Sequence, residues 1–181
     1  LRPVFDRKNG TITAATSSAL TDGAACLLVM SEKRAKELGY KPLGYVRGYA
    51  FPALDPRENM LLGNVYSCPA ALQQSGATLA DMDVVEIHEA FAAQVLSNLK
   101  CFGDQSFFDD KLGGMKALGE VAPEKLNRWG GSIAYGHPFA ATGGRLLMHA
   151  LDGLIEVDGQ LGLVSACAAG GLGSAMVIER A

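Results

Sequence analysis

The chain has 181 residues, 49% of them hydrophobic and 19% charged, with 22 glycines, a globular composition of about one domain that excludes disorder, collagen and coiled coil. Its formal charge of −3 supplies no positive field for a nucleic-acid backbone, and the 16 Lys and Arg residues form no run, so DNA and RNA are excluded as partners. No stretch approaches the ~20 consecutive apolar residues of a membrane helix. Leu1-Arg2-Pro3-Val4 has neither an initiating Met nor a signal-peptide pattern, so the chain reads as soluble and as starting within a longer protein. Cys26, Cys68, Cys101 and Cys167 stand far apart with no CxxC pair and read as free thiols of a reducing compartment.

In chain order, Thr11-Ile12-Thr13-Ala14 is a short β-prone run, and Ala24 to Met30 is apolar enough for a buried strand. Ser31 can cap a helix that Gly39 closes. Pro42 marks a boundary, Leu43 to Phe51 reads as a strand, and Ala70 to Gln74 as a helix stopped by Gly76. Val84-Val85-Glu86-Ile87 is a short apolar strand leading at once into a helical pattern over Glu89 to Leu99. Residues 103–127 show no sustained period and read as an irregular insertion with one helical turn. Ser132-Ile133-Ala134 reads as extended, Pro138 as the first residue of a helix through Leu154, and Leu161 to Ser165 as a buried strand with a hairpin partner at Ala175 to Ile178. Strands alternating with helices predict an α/β layered domain on a mixed, mainly parallel sheet.

Open α/β sheets place their sites beyond the carboxyl ends of strands, and three segments there carry reactive side chains: Ile87-His88-Glu89-Ala90-Phe91, Gly136-His137-Pro138 and Cys167-Ala168-Ala169-Gly170-Gly171-Leu172-Gly173. Cys167 suits a nucleophile or a proton-carrying thiol, with glycines behind it that allow close backbone approach; an inert core cysteine is the ordinary alternative. His137, before a helix N-terminus, should stay neutral and can act as a base, or be only a turn residue. His88 can present an N–H to an oxyanion or to a water, or be a satisfied core histidine. Glu89 reads as a helix-opening carboxylate, and His149 as a surface residue in mid-helix. No metal is expected, because His88-Glu89 lacks the HExxH continuation, and Gly170 to Gly173 lacks the Lys-Ser/Thr of a phosphate loop.

Four blocks in order resemble the carboxyl-terminal half of the thiolases, in particular the 3-ketoacyl-CoA thiolases of fatty-acid β-oxidation: Thr13 to Ser18 continuing through Asp22 to Ala25, His88-Glu89-Ala90-Phe91-Ala92, Gly130 to Pro138, and Cys167 to Gly173. The resemblance implies an α/β thiolase-like layered fold, a C-terminal βαβαβαββ half with a mixed five-stranded sheet covered by helices. Residues 1–41 would be the tail of the N-terminal half and 42–181 the C-terminal domain, with the insertion at about 103–127.

The implied reaction cleaves 3-ketoacyl-CoA with CoA to acetyl-CoA and a shortened acyl-CoA. His137 matches the histidine that activates the nucleophile, Cys167 the second cysteine that moves the proton, and His88 the oxyanion-hole position, where many relatives carry Asn. His88 and the Phe139-Ala140-Ala141-Thr142-Gly143 continuation are similar to the β-subunit type of multienzyme fatty-oxidation complexes. Ser18, Phe91 and Met60 would line the CoA slot, and Ala169, where many relatives have Gly, would offer its N–H beside Gly170. The acyl-accepting cysteine matches none of Cys26, Cys68 and Cys101, so these residues alone should be inactive.

No permanently bound cofactor is implied; CoA is a substrate. Implied partners are acyl-CoA, the N-terminal half, a homodimer or higher oligomer, and an α subunit of a fatty-oxidation complex, in bacterial cytoplasm or a mitochondrial matrix. A biosynthetic acetoacetyl-CoA thiolase and a noncatalytic CoA-binding module are the alternatives. A ketoacyl synthase is disfavoured, since it would place His where Cys167 stands.

Overall fold

The computed structural model describes residues 1–181. Seven helices, α1 (Glu32–Leu38), α2 (Pro56–Asn59), α3 (Gly63–Ser75), α4 (Ala92–Phe102), α5 (Gln105–Lys111), α6 (Ser132–Tyr135) and α7 (Ala140–Glu156), accompany four strands, β1 (Gly44–Ala50), β2 (Val84–Ile87), β3 (Leu161–Ala168) and β4 (Leu172–Arg180). The strands form one sheet in the order β1-β4-β3-β2, so the predicted sheet is one strand too large. Ser132-Ile133-Ala134, predicted as extended, instead forms the helical turn α6, whose Ile133 N–H donates to Glu89 Oε2 at 3.0 Å. A carboxylate anchoring a helix N-terminus accounts for that turn. The sheet is mixed, as expected, but mainly antiparallel: only β2 and β3 run parallel.

Alternation along the strands sends side chains to two cores. Val85, Ile87, Leu163, Ala175 and Val177 pack with Val65, Cys68, Ala71 and Leu72 of α3 and with Val95 and Phe102 of α4. Val84, Val164 and Ile178 pack with Leu146, Ala150 and Leu154 of α7. Burial on both faces explains why the strands are apolar without alternation. Leu163 is fully buried between these layers, so Leu163→Ala should lower unfolding stability by about 2–5 kcal/mol, read from denaturant midpoints.

Local signals set the helix ends. Ser31 Oγ accepts from Arg34 N–H at 3.3 Å and Gly39 takes φ +74°, closing α1 as predicted. α3 runs seven residues ahead of Ala70, with Pro69 inside it, because its buried stripe on the sheet outweighs the donor the proline removes. Residues 103–127 are more ordered than predicted: Asp104 Oδ1 accepts from the Ser106 and Phe107 N–H groups, and α5 buries Phe108.

Ala24 to Met30 is not a buried strand. It makes no backbone hydrogen bond, and Leu28 and Val29 are 72% and 78% exposed. An apolar run becomes a buried strand only beside a partner strand, and none of the four strands lies against it. Thr11 to Ala14 likewise leads into a short 3₁₀ turn, Ala14–Thr16, rather than a strand. The segment after it does structural work. Ser17 bridges Phe91 and Leu20 bridges His137, while Ser18 N–H donates to Ala90 O at 3.0 Å and His137 N–H to Ala19 O at 2.8 Å. Residues 17–20 thus strap together the loop after β2 and the loop before α7.

Candidate active site

The parallel pairing of β2 with β3 puts their carboxyl ends side by side: Ile87 faces Ser165, and His88 N–H donates to Ser165 O at 2.8 Å. His88 therefore leaves β2 beside Ser165, two residues before Cys167 on β3. The strap brings in the third element. The rings of His88 and His137 stack with centroids 4.1 Å apart and planes 34° apart.

His88 is 2% exposed, and its Nδ1 lies 2.7 Å from Ser132 Oγ. That hydroxyl also accepts from Arg145 Nη2 at 2.8 Å. Burial, then the His137 ring and the Arg145 guanidinium, press the His88 pKa down to about 4. His137 Nδ1 lies 2.7 Å from Thr142 Oγ1 in the first turn of α7. Its pKa is also lowered, by burial first and Arg145 second. The helix expected to begin at Pro138 begins two residues later at Ala140, after Phe139 at φ +42°, so burial and Arg145 rather than an adjoining helix start keep His137 neutral. In the tautomer whose Nδ1–H donates to Thr142 Oγ1, the Nε2 of His137 carries a lone pair free to take a proton.

Cys167 is 5% exposed, and burial pushes its thiol up to about 11. It rests protonated, not near neutrality as a freely exchanging thiol would. The other thiols lie elsewhere: Cys68 sits in the core with its pKa pushed up to about 12, Cys101 is half-buried on α4, and Cys26 is exposed. Cys167 lines a cleft of about 270 Å³ with Phe51, Pro52, Ala168, Leu172 and Ser174. The histidine pair does not line that cleft: the structure brings His88 and His137 into contact, and Cys167 lies on the neighbouring strand at the same end of the sheet. Across the hairpin Cys167 faces Gly173, whose Cα packs against the backbone of Gly63 at the start of α3. A side chain at either glycine would force α3 off the strand that carries the thiol.

Ala169 and Gly170 form the exposed tip of that hairpin, and Gly170 takes φ +93°. Leu54 N–H donates to Gly171 O at 2.7 Å, which lays the 51–56 segment and α2 along the tip, and Met60 caps α2 with 47% exposure. Ser18 and Phe91 sit at the strap, where Phe91 meets Phe5 edge-on at 5.9 Å.

Several functional neighbours escaped sequence reasoning. Asn127, at φ +43°, acts as a surrogate strand beside β2: its Oδ1 accepts from Ile87 N–H at 2.8 Å, and its Nδ2 donates to Ile87 O at 3.0 Å and Glu89 Oε1 at 2.7 Å. Asn before a Gly pair in an aperiodic stretch is a signal for such a position. Glu89 therefore does not open the helix after it but ties Asn127 to α6. His149 is not a surface residue: its side chain is 19% exposed, its ring packs edge-on to Trp129 and Tyr135, and its Nδ1 lies 3.9 Å from the buried Glu86. Burial pushes the Glu86 carboxyl up to about 7 and lowers the His149 pKa, so the contact is not a permanent ion pair.

A stacked neutral histidine pair and a buried thiol thus converge at the ends of the parallel strands β2 and β3. The chain matches the thiolase C-terminal domain family over residues 40–180 and the thiolase N-terminal domain family over residues 1–33. It belongs to the thiolase family. It is 58% identical over 99% of its length to proteins named 3-ketoacyl-CoA thiolase from Colwellia psychrerythraea and from Yersinia enterocolitica. The chain spans about 41% of those relatives' length. Among solved structures it is similar to the acetyl-CoA acetyltransferase of Bacillus anthracis (TM-score 0.85, 35% identity, 100% of this chain and 41% of that one). It is also similar to human mitochondrial 3-ketoacyl-CoA thiolase, solved alone (TM-score 0.81, 34% identity, 99% and 41%) and with CoA (0.80, 32%, 100% and 41%).

Proposed function

We propose that this chain is the C-terminal part of a 3-ketoacyl-CoA thiolase of fatty-acid β-oxidation, an acetyl-CoA C-acyltransferase with CoA as substrate and no permanently bound cofactor. The single observation that carries the reading is the stacked His88–His137 pair at the sheet end that also bears the buried Cys167 thiol. In this reading residues 1–41 complete an N-terminal half that holds the acyl-accepting cysteine, and 42–181 form the C-terminal domain.

The resting state of each group suits one direction of proton flow. His137, neutral with a free Nε2, takes the proton of the nucleophilic cysteine as it attacks the 3-keto carbon. Cleavage of the Cα–Cβ bond leaves an enolate on acetyl-CoA, and Cys167, held protonated by burial, gives its proton to that α-carbon. The thiolate it becomes is the stronger base beside an ordinary thiol near 8.5, so it takes the proton of the incoming CoA. CoA then attacks the acyl-enzyme and releases the shortened acyl-CoA. His88 donates to the enolate oxygen directly or through water. Ser18, Phe91 and Met60 flank the CoA path, and the backbone of Ala169 and Gly170 approaches the acyl carbonyl.

The full-length protein, given a 3-ketoacyl-CoA and CoA, should release acetyl-CoA and an acyl-CoA two carbons shorter. Tight CoA binding with no cleavage would instead favour a noncatalytic CoA-binding module. The likeness to an acetyl-CoA acetyltransferase keeps acetoacetyl-CoA as a second substrate reading, while the 58% identity to 3-ketoacyl-CoA thiolases supports the degradative one. The 181 residues by themselves should give no turnover, and the exposed Leu27, Leu28 and Val29 should make them self-associate. Activity of this piece alone, or a strictly monomeric state over a wide concentration range in sedimentation, would contradict those expectations. In the whole enzyme the same surface would be covered by the N-terminal half and by a second copy in a homo-oligomer. An α subunit, in a bacterial cytoplasm or a mitochondrial matrix, belongs to the same proposal.

A further inference from the structure

Arg145 reaches the site through one bond only. Its Nη2 donates to Ser132 Oγ at 2.8 Å, while its buried Nε and Nη1 have no hydrogen-bond partner. The guanidinium lies 5.7 Å from the centroid of the Tyr135 ring, which fixes its place. A guanidinium can only donate, so Ser132 Oγ must accept from it, and Ser132 is fully buried with one other polar neighbour, His88 Nδ1 at 2.7 Å. The one hydroxyl proton of Ser132 therefore goes to Nδ1. His88 then bears its own proton on Nε2.

We infer that Ser132 and Arg145 are positioning residues that lock His88 as the Nε2–H tautomer, so that of two stacked imidazoles His88 is held as the hydrogen-bond donor and His137 is left as the base. Nothing comparable fixes His137, whose Nδ1 meets only the Thr142 hydroxyl, a group that can accept as well as donate. Without the relay, two neutral rings 4.1 Å apart could exchange roles. The charges around the relay are Glu86 on β2, Glu89 after it, and Arg145, His149 and Asp152 on α7; Arg145 disfavours the imidazolium of both His88 and His137. Its positive charge thus keeps both rings neutral to lower pH than either would be alone.

The inference rests on the thiolase reading above, and two readouts separate them. In the full-length protein, ¹⁵N shifts of the His88 ring should report the Nε2–H tautomer at neutral pH, and Ser132→Ala should populate the other one. This measurement does not need turnover. In thiolysis, Ser132→Ala should lower kcat by about tenfold to a hundredfold, the size expected for a misaligned oxyanion donor, with KM within about threefold. Ser132→Thr, which restores the hydroxyl, should recover most of that loss. Arg145→Gln should move the acid limb of kcat/KM to higher pH, since loss of the positive charge raises the pKa of His137. A purely structural role would not move that limb. An Nδ1–H tautomer in the parent, or a Ser132→Ala variant with parental kcat and tautomer, would overturn the relay. A parent that fails to cleave any 3-ketoacyl-CoA would overturn the functional reading, and the tautomer would then decide the relay by itself.

Discussion

Replacing His137 by alanine in the full-length enzyme should lower kcat/KM for thiolysis by about 10²- to 10⁴-fold, the range of a lost general base. The residue's place is over-determined: its backbone N–H donates to Ala19 O, its ring Nδ1 meets Thr142, and the ring face lies on His88. Alanine removes the only free imidazole nitrogen of the pair, because the other ring is held as a donor. A pH profile gives the companion result. The His137 pKa is lowered by burial and Arg145, so the active neutral form persists below the ordinary value near 6.5, and activity should fall only as pH drops beneath it. An acid limb centred above 6.5 would remove His137 as the base. CoA binding by His137→Ala, measured in the same preparations, should stay within a few-fold of the parent.

Cys167→Ser should cost about 10²-fold or more, since a serine hydroxyl neither yields its proton to the enolate nor accepts one from CoA at comparable driving force. The substitution is nearly isosteric in a site already packed on Gly173, so the fold should tolerate it. The parental thiol should also resist alkylation at neutral pH, because burial raises its pKa to about 11. Rapid modification of Cys167 in preference to the exposed Cys26 would contradict that protonated resting state.

Much of this was legible in the residues. The end of β2 at Ile87, the Ser31 and Gly39 helix ends and the β3–β4 hairpin are local signals, and local structure follows them. His88, His137 and Cys167 stood out because polar or reactive side chains interrupted apolar strand ends. What was not legible depended on distant partners. Ala24 to Met30 has the apolar composition of a buried strand, yet composition cannot say whether a neighbouring strand is present to pair with it. Ser132 to Ala134 turns helical because Glu89, far away in sequence, supplies the anchor for its N–H. His149 looks like a surface residue until Glu86, Trp129 and Tyr135 are brought around it. Arg145 and Ser132 carry no motif of their own, and their meaning lies in one shared hydroxyl.

The most direct test of a site built on a buried proton-carrying thiol is exchange of the acetyl-CoA α-protons in deuterated water by the full-length enzyme and its Cys167→Ser variant. Acetyl-CoA first loads the nucleophile, the departing CoA thiolate takes the Cys167 proton, and the thiolate left behind takes an α-proton from the next acetyl-CoA. Exchange of that Cys167 thiol proton with the deuterated solvent, followed by return of the deuteron to the enolate, should make the parent incorporate deuterium at the α-carbon, while Cys167→Ser incorporates it about 10²-fold more slowly or less. Exchange at the parental rate in Cys167→Ser would contradict the account, because some other group would then be carrying that proton.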